Sequence, residues 1–343
     1  MSFIAIVSAA PCEMLVDKPG WVADGLRAAG HEVRRVHDLA GVKAADGECD
    51  LLLFDQHGAG CNVGSLAELA AVRQAVWVQW WRDLLLYDRA KALADQDHIR
   101  TFGRFLRAID GVLVKERAQL AAYAELGIAA EYLDQACPAD MPQCEHPQRP
   151  DFDVLVLGTT AYPQRRDDAR ILAATGYRVL WAGLAGSDML PPGVVGHPWV
   201  HPTRELPALA GRCGLILGVD YTTAVQGYTS DRSWLAGGMG ACYIARVDVE
   251  AYGAEWSYCE LAKAAPAMHA ASWCYESTEG LLACVRLALC SRDERERRGQ
   301  AARRRIMAEH TYRNRAEVMV RRVGVRSGGW GRASAMPRME SRT

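Results

Sequence analysis

The sequence has no charge excess of one sign and no hydrophobic run long enough to cross a bilayer. Its 343 residues carry 40 Lys and Arg against 41 Asp and Glu, and a net charge of −1 creates no overall field that attracts nucleic acid or a membrane. No stretch approaches the ~20 apolar residues that span a bilayer, and the short apolar run near Met1 lacks the charge and length of a signal peptide. We therefore expect a cytoplasmic protein with no membrane span.

Several common cofactor and catalytic motifs are also absent. The 11 cysteines include no C-x-x-C pair, so neither a zinc cluster nor a disulfide framework is indicated, and we interpret them as small core residues in a reducing compartment. The first predicted strand is followed by Ser8, Ala9, Ala10 and Pro11 instead of G-x-G-x-x-G, which argues against an NAD-dependent dehydrogenase. No P-loop, H-E-x-x-H or G-x-S-x-G motif occurs, and we expect no metal site.

What the sequence does contain is an alternation of strand and helix patterns in both halves. It begins with a strand at Phe3–Val7, a helix at Gly20–Ala29 and a strand at His31–Val36, and it restarts with the strand Asp153–Leu157. Continuously apolar runs such as Leu51–Phe54 are typical of parallel strands buried on both faces. A chain of this length favours two domains. The predicted fold class is α/β, with two Rossmann-like domains facing each other across a cleft.

A proline-rich segment separates the two halves. PADMPQCEHPQRP, at residues 138–150, places four prolines in thirteen positions, a density that neither a helix nor a central strand tolerates. We therefore predict a first domain at residues 1–140, a linker at 141–150 and a second domain at 151–310. Residues 325–343 are rich in Gly, Ser and Arg, and we expect a disordered basic tail there.

Three stretches of the second half carry a resemblance to a known family. They are VLVLGTTAYPQRR from Val154, GYTSDRSWLAGGMGACYIA from Gly227, and about fifty residues from WCYESTEG at Trp273 to the H-T-Y-x-x-R motif and its helix. Together they resemble the GT-B glycosyltransferases of the group-1 and CgeB-like kind, over most of residues 151–320. The first half is similar more weakly, through VWVQWWRD and DGVLVKERAQLAAYAELGI.

The resemblance implies transfer of a sugar from a nucleotide diphosphate to an acceptor hydroxyl. The donor would bind mainly to the second domain, and the acceptor to the first. The nucleotide sugar, with a UDP-sugar as the expected donor, would be a co-substrate, and neither a cofactor nor a bound metal is implied. The motif His310-Thr311-Tyr312 would be the turn after which a helix at residues 311–324 crosses back to the first domain.

Four residues follow the first strand of the second half, where α/β proteins bind ligands. Gly158 allows close approach of the backbone, Thr159 offers a hydroxyl, and Arg165 and Arg166 offer positive charge on a predicted strand-to-helix loop. A diphosphate leaving group without a metal needs cations and helix N-termini. The alternative is that both arginines are solvated residues before a helix.

A second donor segment surrounds the S-x-R motif. Ser230 or Asp231 can cap the helix that follows, but a cation at a helix start is unfavourable without a nearby anion, so Arg232 is our main candidate for a phosphate contact. Tyr228 completes the predicted donor site. The family often has a glutamate that grips the donor ribose where this sequence has Leu235, and Leu235 cannot accept a hydrogen bond.

The predicted acceptor side lies in the first half. His57 in FDQHGAG and Asp83 in VQWWRD each follow a predicted strand, and we assign both as catalytic candidates, with Asp83 as a possible general base. Trp80 and Trp81 offer indole faces that suit an acceptor sugar or base. The alternatives are a structural histidine in a glycine-rich turn, core tryptophans and an aspartate that caps a helix.

Other functions stay open at this stage. The acceptor could be a glycan, a small molecule or hydroxymethylated DNA, the last because arginines are concentrated near the C-terminus. A catalytically inactive nucleotide- or glycan-binding protein of the same fold is the alternative that Leu235 suggests. A sugar-nucleotide epimerase is a third possibility.

Overall fold

A computed structural model of the chain describes residues 1–8, 17–55, 63–81, 103–115, 117–183, 189–219, 230–246 and 272–323. These residues form two six-stranded sheets in which every paired strand runs parallel to its neighbours. The predicted α/β class with two parallel sheets is therefore confirmed.

The first sheet has the strand order β2-β1-β3-β4-β5-β6. Its strands are β1 (Phe3–Val7), β2 (Glu32–Val36), β3 (Leu51–Asp55), β4 (Val76–Trp81), β5 (Gly111–Val114) and β6 (Ala130–Tyr132). The helices that pack on it are α1 (Lys18–Ala28), α2 (Leu39–Asp46), α3 (Val63–Ala70), α4 (Leu120–Glu125) and, from the far end of the chain, α10 (Tyr312–Val323). We call this sheet with these helices the first unit.

The second sheet has the order β12-β11-β10-β7-β8-β9. Its strands are β7 (Phe152–Leu157), β8 (Val179–Ala182), β9 (Val194–His197), β10 (Cys213–Gly218), β11 (Tyr243–Arg246) and β12 (Ser272–Tyr275). Its helices are α5 (Pro163–Ala174), α6 (Leu206–Gly211), α7 (Asp231–Gly238), α8 (Thr278–Cys290) and α9 (Arg292–Glu309). This set is the second unit.

Both sheets are buried on their two faces, which explains the continuous apolar runs in their strands. In β1, Ile4 and Ile6 pack against α1 and α10, whereas Ala5 and Val7 belong to the core cluster on the opposite face. All four residues are fully buried. The helices therefore cover both faces and leave the carboxyl ends of the strands as the edge at which ligands bind in such sheets.

Each sheet contains a point where the strand order reverses. In the first sheet the chain runs from β1 outward to β2 and then returns to β3 on the other side of β1. In the second sheet it runs from β7 through β8 to β9 and then returns to β10 on the other side of β7. Adjacent connections leave in opposite directions at such a switch point and open a crevice there.

Two segments connect the units. The proline-rich residues 141–150 lie against the second unit, where the Cys144 amide donates to the Met239 carbonyl and His146 Nε2 lies 2.8 Å from the Gly240 carbonyl. Near the other end, Cys137 and Thr311 form a parallel β-bridge. After this bridge α10 packs on α1, and Gly25 lies too close to the Tyr312 backbone for a Cβ atom to fit without movement.

Several elements differ from the sequence prediction. Arg165 and Arg166, which were expected on a strand-to-helix loop, lie within α5, because this helix begins at Pro163 and proline is well suited to the first helical position. The prediction did not include α2, β9, α6 or β12 as elements. Three of these four span only four to six residues, too few to show a clear hydrophobic period.

Candidate active site

Gly158 ends β7 at the switch point of the second sheet. Its φ of +106° is accessible to glycine but unfavourable for other residues. Its amide donates to the Ala182 carbonyl at 2.9 Å, and its own carbonyl accepts a hydrogen bond from Trp181 Nε1 at 2.7 Å. A Cβ atom at Gly183, whose φ is +158°, would collide with this carbonyl. The backbone at this strand end is thus held in one position.

Arg165 lies in the first turn of α5, and its side chain is completely buried. Nε and Nη2 donate to the Val219 carbonyl at 3.2 and 2.7 Å, and Nη1 donates to the Thr159 carbonyl at 2.8 Å. Arg165 therefore lies in a helix and not on the predicted strand-to-helix loop, because α5 begins at Pro163. A Cβ atom at Gly158 would lie 2.7 Å from Arg165 Nη1, so the guanidinium still faces the strand end.

Arg232 approaches the same strand end from α7. A Cβ atom at Gly158 would lie 3.1 Å from Arg232 Nη1, and Arg232 Nη2 donates to the Val219 carbonyl at 3.4 Å. The side chain is half-buried, in contrast to that of Arg165. The structure thus brings together Gly158, Arg165 and Arg232, three of the residues that were assigned to the donor site.

The two residues before Arg232 lie at the start of α7. Ser230 occupies the N-cap position of α7 but makes no side-chain capping hydrogen bond. Asp231 forms an ion pair with Lys18 of α1, with Oδ2 and Nζ 2.9 Å apart. Burial opposes ionisation of Asp231, but Lys18, Arg232 and Lys115 outweigh burial and keep the pKa of this carboxyl well below its usual range. Asp231 is therefore ionised at neutral pH.

Lys18 and Lys115 were not singled out from the sequence. Lys18 is the first residue of α1 and belongs to the first unit, as does Lys115, which directly follows β5 and is 3% exposed. Lys18 could have been selected for the same reason as Arg232, because a cation at a helix start is unfavourable without an anion nearby.

Asp168 anchors α5 to the sheet. Its carboxylate accepts a hydrogen bond from the Tyr275 hydroxyl at 2.7 Å and pairs with Arg246 at 3.2 Å. Burial is the main influence on this carboxyl and raises its pKa above the ordinary value, although both partners oppose the shift. These contacts fix the helix whose first turn carries Arg165.

Comparison with known proteins identifies the family. The model of the family described as glycosyl transferase-like matches residues 147–321, which is about half of the chain. The chain belongs to the glycosyl transferase-like family. It is an enzyme, a glycosyltransferase. None of the curated proteins matches the sequence.

Solved glycosyltransferases share the fold of this chain over nearly its whole length. HepE from Anabaena, in complex with UDP-glucose, matches with a TM-score of 0.63 and 10% identity, over 95% of this chain and 100% of HepE. WaaG, involved in lipopolysaccharide biosynthesis, matches with a TM-score of 0.57 and 13% identity, over 95% of this chain and 100% of WaaG. AviGT4, involved in avilamycin A biosynthesis, matches with a TM-score of 0.57 and 15% identity, over 94% of this chain and 97% of AviGT4. The architecture is therefore GT-B, as the resemblance implied.

Leu235 of the glycosyltransferase is a core residue. It is 4% exposed and belongs to the same apolar cluster as Trp234 and Met239. The position at which relatives often carry a ribose-binding glutamate therefore contributes apolar packing in this chain.

Only part of the predicted acceptor side lies within the described residues. Trp80 is 1% exposed, its Nε1 donates to the Leu133 carbonyl at 3.0 Å, and its ring packs edge-on against Tyr312. The prediction that Trp80 binds an acceptor is therefore wrong, because tertiary packing covers both faces of the indole. The backbone of Trp81 ends β4, and its side chain lies outside the described residues, as do His57, Asp83 and Tyr228.

The arginine-rich helix α9 forms ion pairs along its surface. Glu294 accepts from Arg297 and Arg298 at 2.7 Å, and Arg305 pairs with Glu309 at 2.5 Å. These pairs neutralise part of the positive charge of this helix. The predicted basic tail, residues 325–343, lies outside the described residues.

The described residues contain neither a candidate metal cluster nor a candidate membrane span. Within the ranges given above, no group of three or more His, Cys, Asp or Glu side chains is placed to hold a metal ion. Within the same ranges, no helix has the length and apolar character needed to cross a membrane.

Proposed function

We propose that this glycosyltransferase transfers a sugar from a nucleoside diphosphate to an acceptor hydroxyl, and that the diphosphate binds at the switch point of the second sheet. The observation that carries the proposal is the approach of Arg165 and Arg232 to Gly158 from two different helices. Two guanidinium groups repel each other, so their convergence is favourable when an anion lies beside them. A diphosphate supplies that anion.

The two helices add to this attraction. α5 and α7 both begin at this edge of the sheet, so their N-terminal partial positive charges lie near the proposed diphosphate. As the bond to the sugar breaks, negative charge grows on the leaving diphosphate. Arg232, which is half-buried, would stabilise that charge directly, and Arg165 would hold the Thr159 and Val219 carbonyls in place. No metal is needed for this role, and we propose metal-independent transfer.

UDP-sugars are the first donors to test. HepE, which shares the fold, was solved with UDP-glucose and with UDP and glucose. Within the family, the quoted motifs support a place among the group-1 and CgeB-like enzymes. We propose that the acceptor approaches from the first unit, with His57 and Asp83 as candidate catalytic residues, since both directly follow strands whose carboxyl ends lie near the switch point of the first sheet.

The acceptor that we propose is a glycan or a small molecule. The ion pairs along α9 do not favour DNA, because Arg297, Arg298 and Arg305 already have carboxylate partners. A salt titration separates the two classes, since each phosphate contact with DNA makes the affinity fall steeply as salt rises.

Titration of the full chain with UDP-, GDP-, ADP- and TDP-sugars tests the proposal, with EDTA present throughout. A true donor at 100 times its Kd stabilises the fold by about 2.7 kcal/mol, which raises the Tm by a few degrees. Release of nucleoside diphosphate in the presence of candidate acceptors then measures transfer. Binding without transfer under any condition would favour the inactive binding protein, and no binding to the whole panel would contradict the proposed function.

A further inference from the structure

The ion pair between Lys18 and Asp231 joins the first residue of α1, in the first unit, to the first residue of α7, in the second unit. Lys18 begins α1, which connects β1 to β2, and β1 borders the switch point of the first sheet. Asp231 begins α7 and directly precedes Arg232, which faces Gly158 at the switch point of the second sheet. The distance of 2.9 Å between Nζ and Oδ2 therefore brings a cation of the first unit to the edge of the proposed diphosphate site.

We propose that Lys18 is a diphosphate-positioning residue that the first unit contributes to the donor site, and that Asp231 holds Lys18 in place until the donor binds. This inference rests on the proposed function. Lys18 would extend a site otherwise built from the second unit, so a bound diphosphate would bridge the units.

The charges around Asp231 support this role. Lys18, Arg232 and Lys115 all act on this single carboxylate and favour its ionised form. Three cations near one carboxylate make a local excess of positive charge that a diphosphate would balance. The ammonium group of Lys18 is carried on a flexible stem and has three donors, so it can move from the carboxylate to a phosphate oxygen without movement of α1. Its side chain is 20% exposed, so part of it is accessible to a ligand.

A purely structural ion pair is the alternative, and it makes different predictions. If the pair only held the two units together, then removal of either partner would weaken the structure in the same direction. If Lys18 binds the diphosphate, Lys18→Ala removes an attractive charge, whereas Asp231→Asn removes a charge that repels the ligand. The two substitutions would then change the affinity for anions in opposite directions.

Titration of the full chain with UDP and with inorganic pyrophosphate, without metal, tests the inference. We expect Lys18→Ala to weaken binding of both probes by about 10-fold or more, a typical loss for a charge-assisted hydrogen bond. Asp231→Asn should bind both probes at least as tightly as the unaltered chain. In the double variant, Asp231→Asn should recover part of the affinity lost with Lys18→Ala. Lys43→Ala, which removes an exposed lysine of α2 in the same unit, is the matched control and should bind normally.

The affinity for UDP should also depend less on salt in Lys18→Ala, because one screened charge interaction is gone. A loss of folding alone would lower the Tm without this change. Equal affinities for Lys18→Ala and Lys43→Ala, with Arg232→Ala defective, would overturn the role of Lys18 and leave the proposed function intact. Failure of UDP, GDP, ADP and TDP to bind the unaltered chain would overturn the proposed function. If pyrophosphate still bound and its binding required Lys18, Lys18 would belong to an anion site that does not recognise a nucleotide.

Discussion

Arg165 and Arg232 donate hydrogen bonds to the same acceptor, the carbonyl oxygen of Val219, from two different helices. The shared carbonyl belongs to the residue that directly follows β10, the strand beside β7. The two arginines differ in exposure and in the strength of this contact, since Arg165 is fully buried and bonds at 2.7 Å whereas Arg232 is half-buried and bonds at 3.4 Å. They should therefore differ in function.

Replacement of Arg165 should mainly affect stability. Arg165→Ala removes the buried donor from the Thr159 carbonyl and the shorter of the two arginine donors from the Val219 carbonyl, and each such loss costs about 1–3 kcal/mol. We expect the free energy of unfolding to fall by about 3 kcal/mol in urea denaturation. Arg166→Ala, which removes the neighbouring arginine and its bond to the Thr160 carbonyl, should cost less. Equal losses for the two variants would contradict a structural role for Arg165.

Replacement of Arg232 should mainly weaken binding of the donor. Arg232 is half-buried and its hydrogen bond to the Val219 carbonyl is long, at 3.4 Å, so Arg232→Ala should lower the free energy of unfolding by less than about 1 kcal/mol. The affinity for the nucleoside diphosphate should fall by about 10- to 100-fold, because a charge-assisted contact is lost. Calorimetric titration of the variant and of Arg304→Ala, an exposed arginine on α9, checks this. Unchanged donor affinity in Arg232→Ala would show that the donor site is elsewhere.

A side chain at Gly158 should damage the site and the fold together. Gly158→Ala forces a φ of +106° on a residue with a Cβ atom and brings that atom within 2.7 Å of Arg165 Nη1. We expect a loss of about 1–3 kcal/mol in the free energy of unfolding. Gly47→Ala is the matched control, because Gly47 has a φ of −81° and an open Cβ position, so its replacement should be neutral or slightly stabilising. Similar effects at the two positions would argue against strain at Gly158.

His310 should make the fold sensitive to acid. Arg315 Nη2 donates to His310 Nδ1 at 2.9 Å, which requires a neutral ring. Burial is the main cause that lowers the pKa of His310 to about 4, and Arg315 and Arg305 lower it further. Below its unfolded pKa of about 6.5 the unfolded chain takes up a proton that the folded chain does not, so stability falls as the pH falls.

Denaturation at two pH values measures this effect. Between pH 7 and pH 4.5 the free energy of unfolding of the unaltered chain should fall by about 2 kcal/mol more than that of His310→Gln. This difference follows from the difference between the folded and unfolded pKa values of His310. Comparison of the two proteins at pH 8, where neither carries a charge at this position, isolates any packing effect of the substitution. Parallel stability curves across this pH range would contradict a buried neutral His310.

Much of the architecture could be predicted from local patterns. β1 has the predicted bounds, Phe3–Val7, because a continuous apolar run is a strong local signal. Gly158 could be selected because a glycine directly after a strand allows close approach of the backbone. Arg232 could be selected because a cation at a helix start is unfavourable without a nearby anion. Trp80 could not be assigned correctly, since an indole after an apolar strand has the same local sequence whether Tyr312 covers it or a ligand does.

The sequence by itself determined the parallel α/β class, the positions of most strands and the presence of a glycine and several cations beside them. Local hydrophobic periodicity and backbone preferences carry that information. Only the tertiary structure decided that β10 lies beside β7, so that Arg165 and Arg232 share one carbonyl, and that Lys18 meets Asp231. Those contacts join residues far apart in the chain, and the order of strands and the packing of the two units place them together.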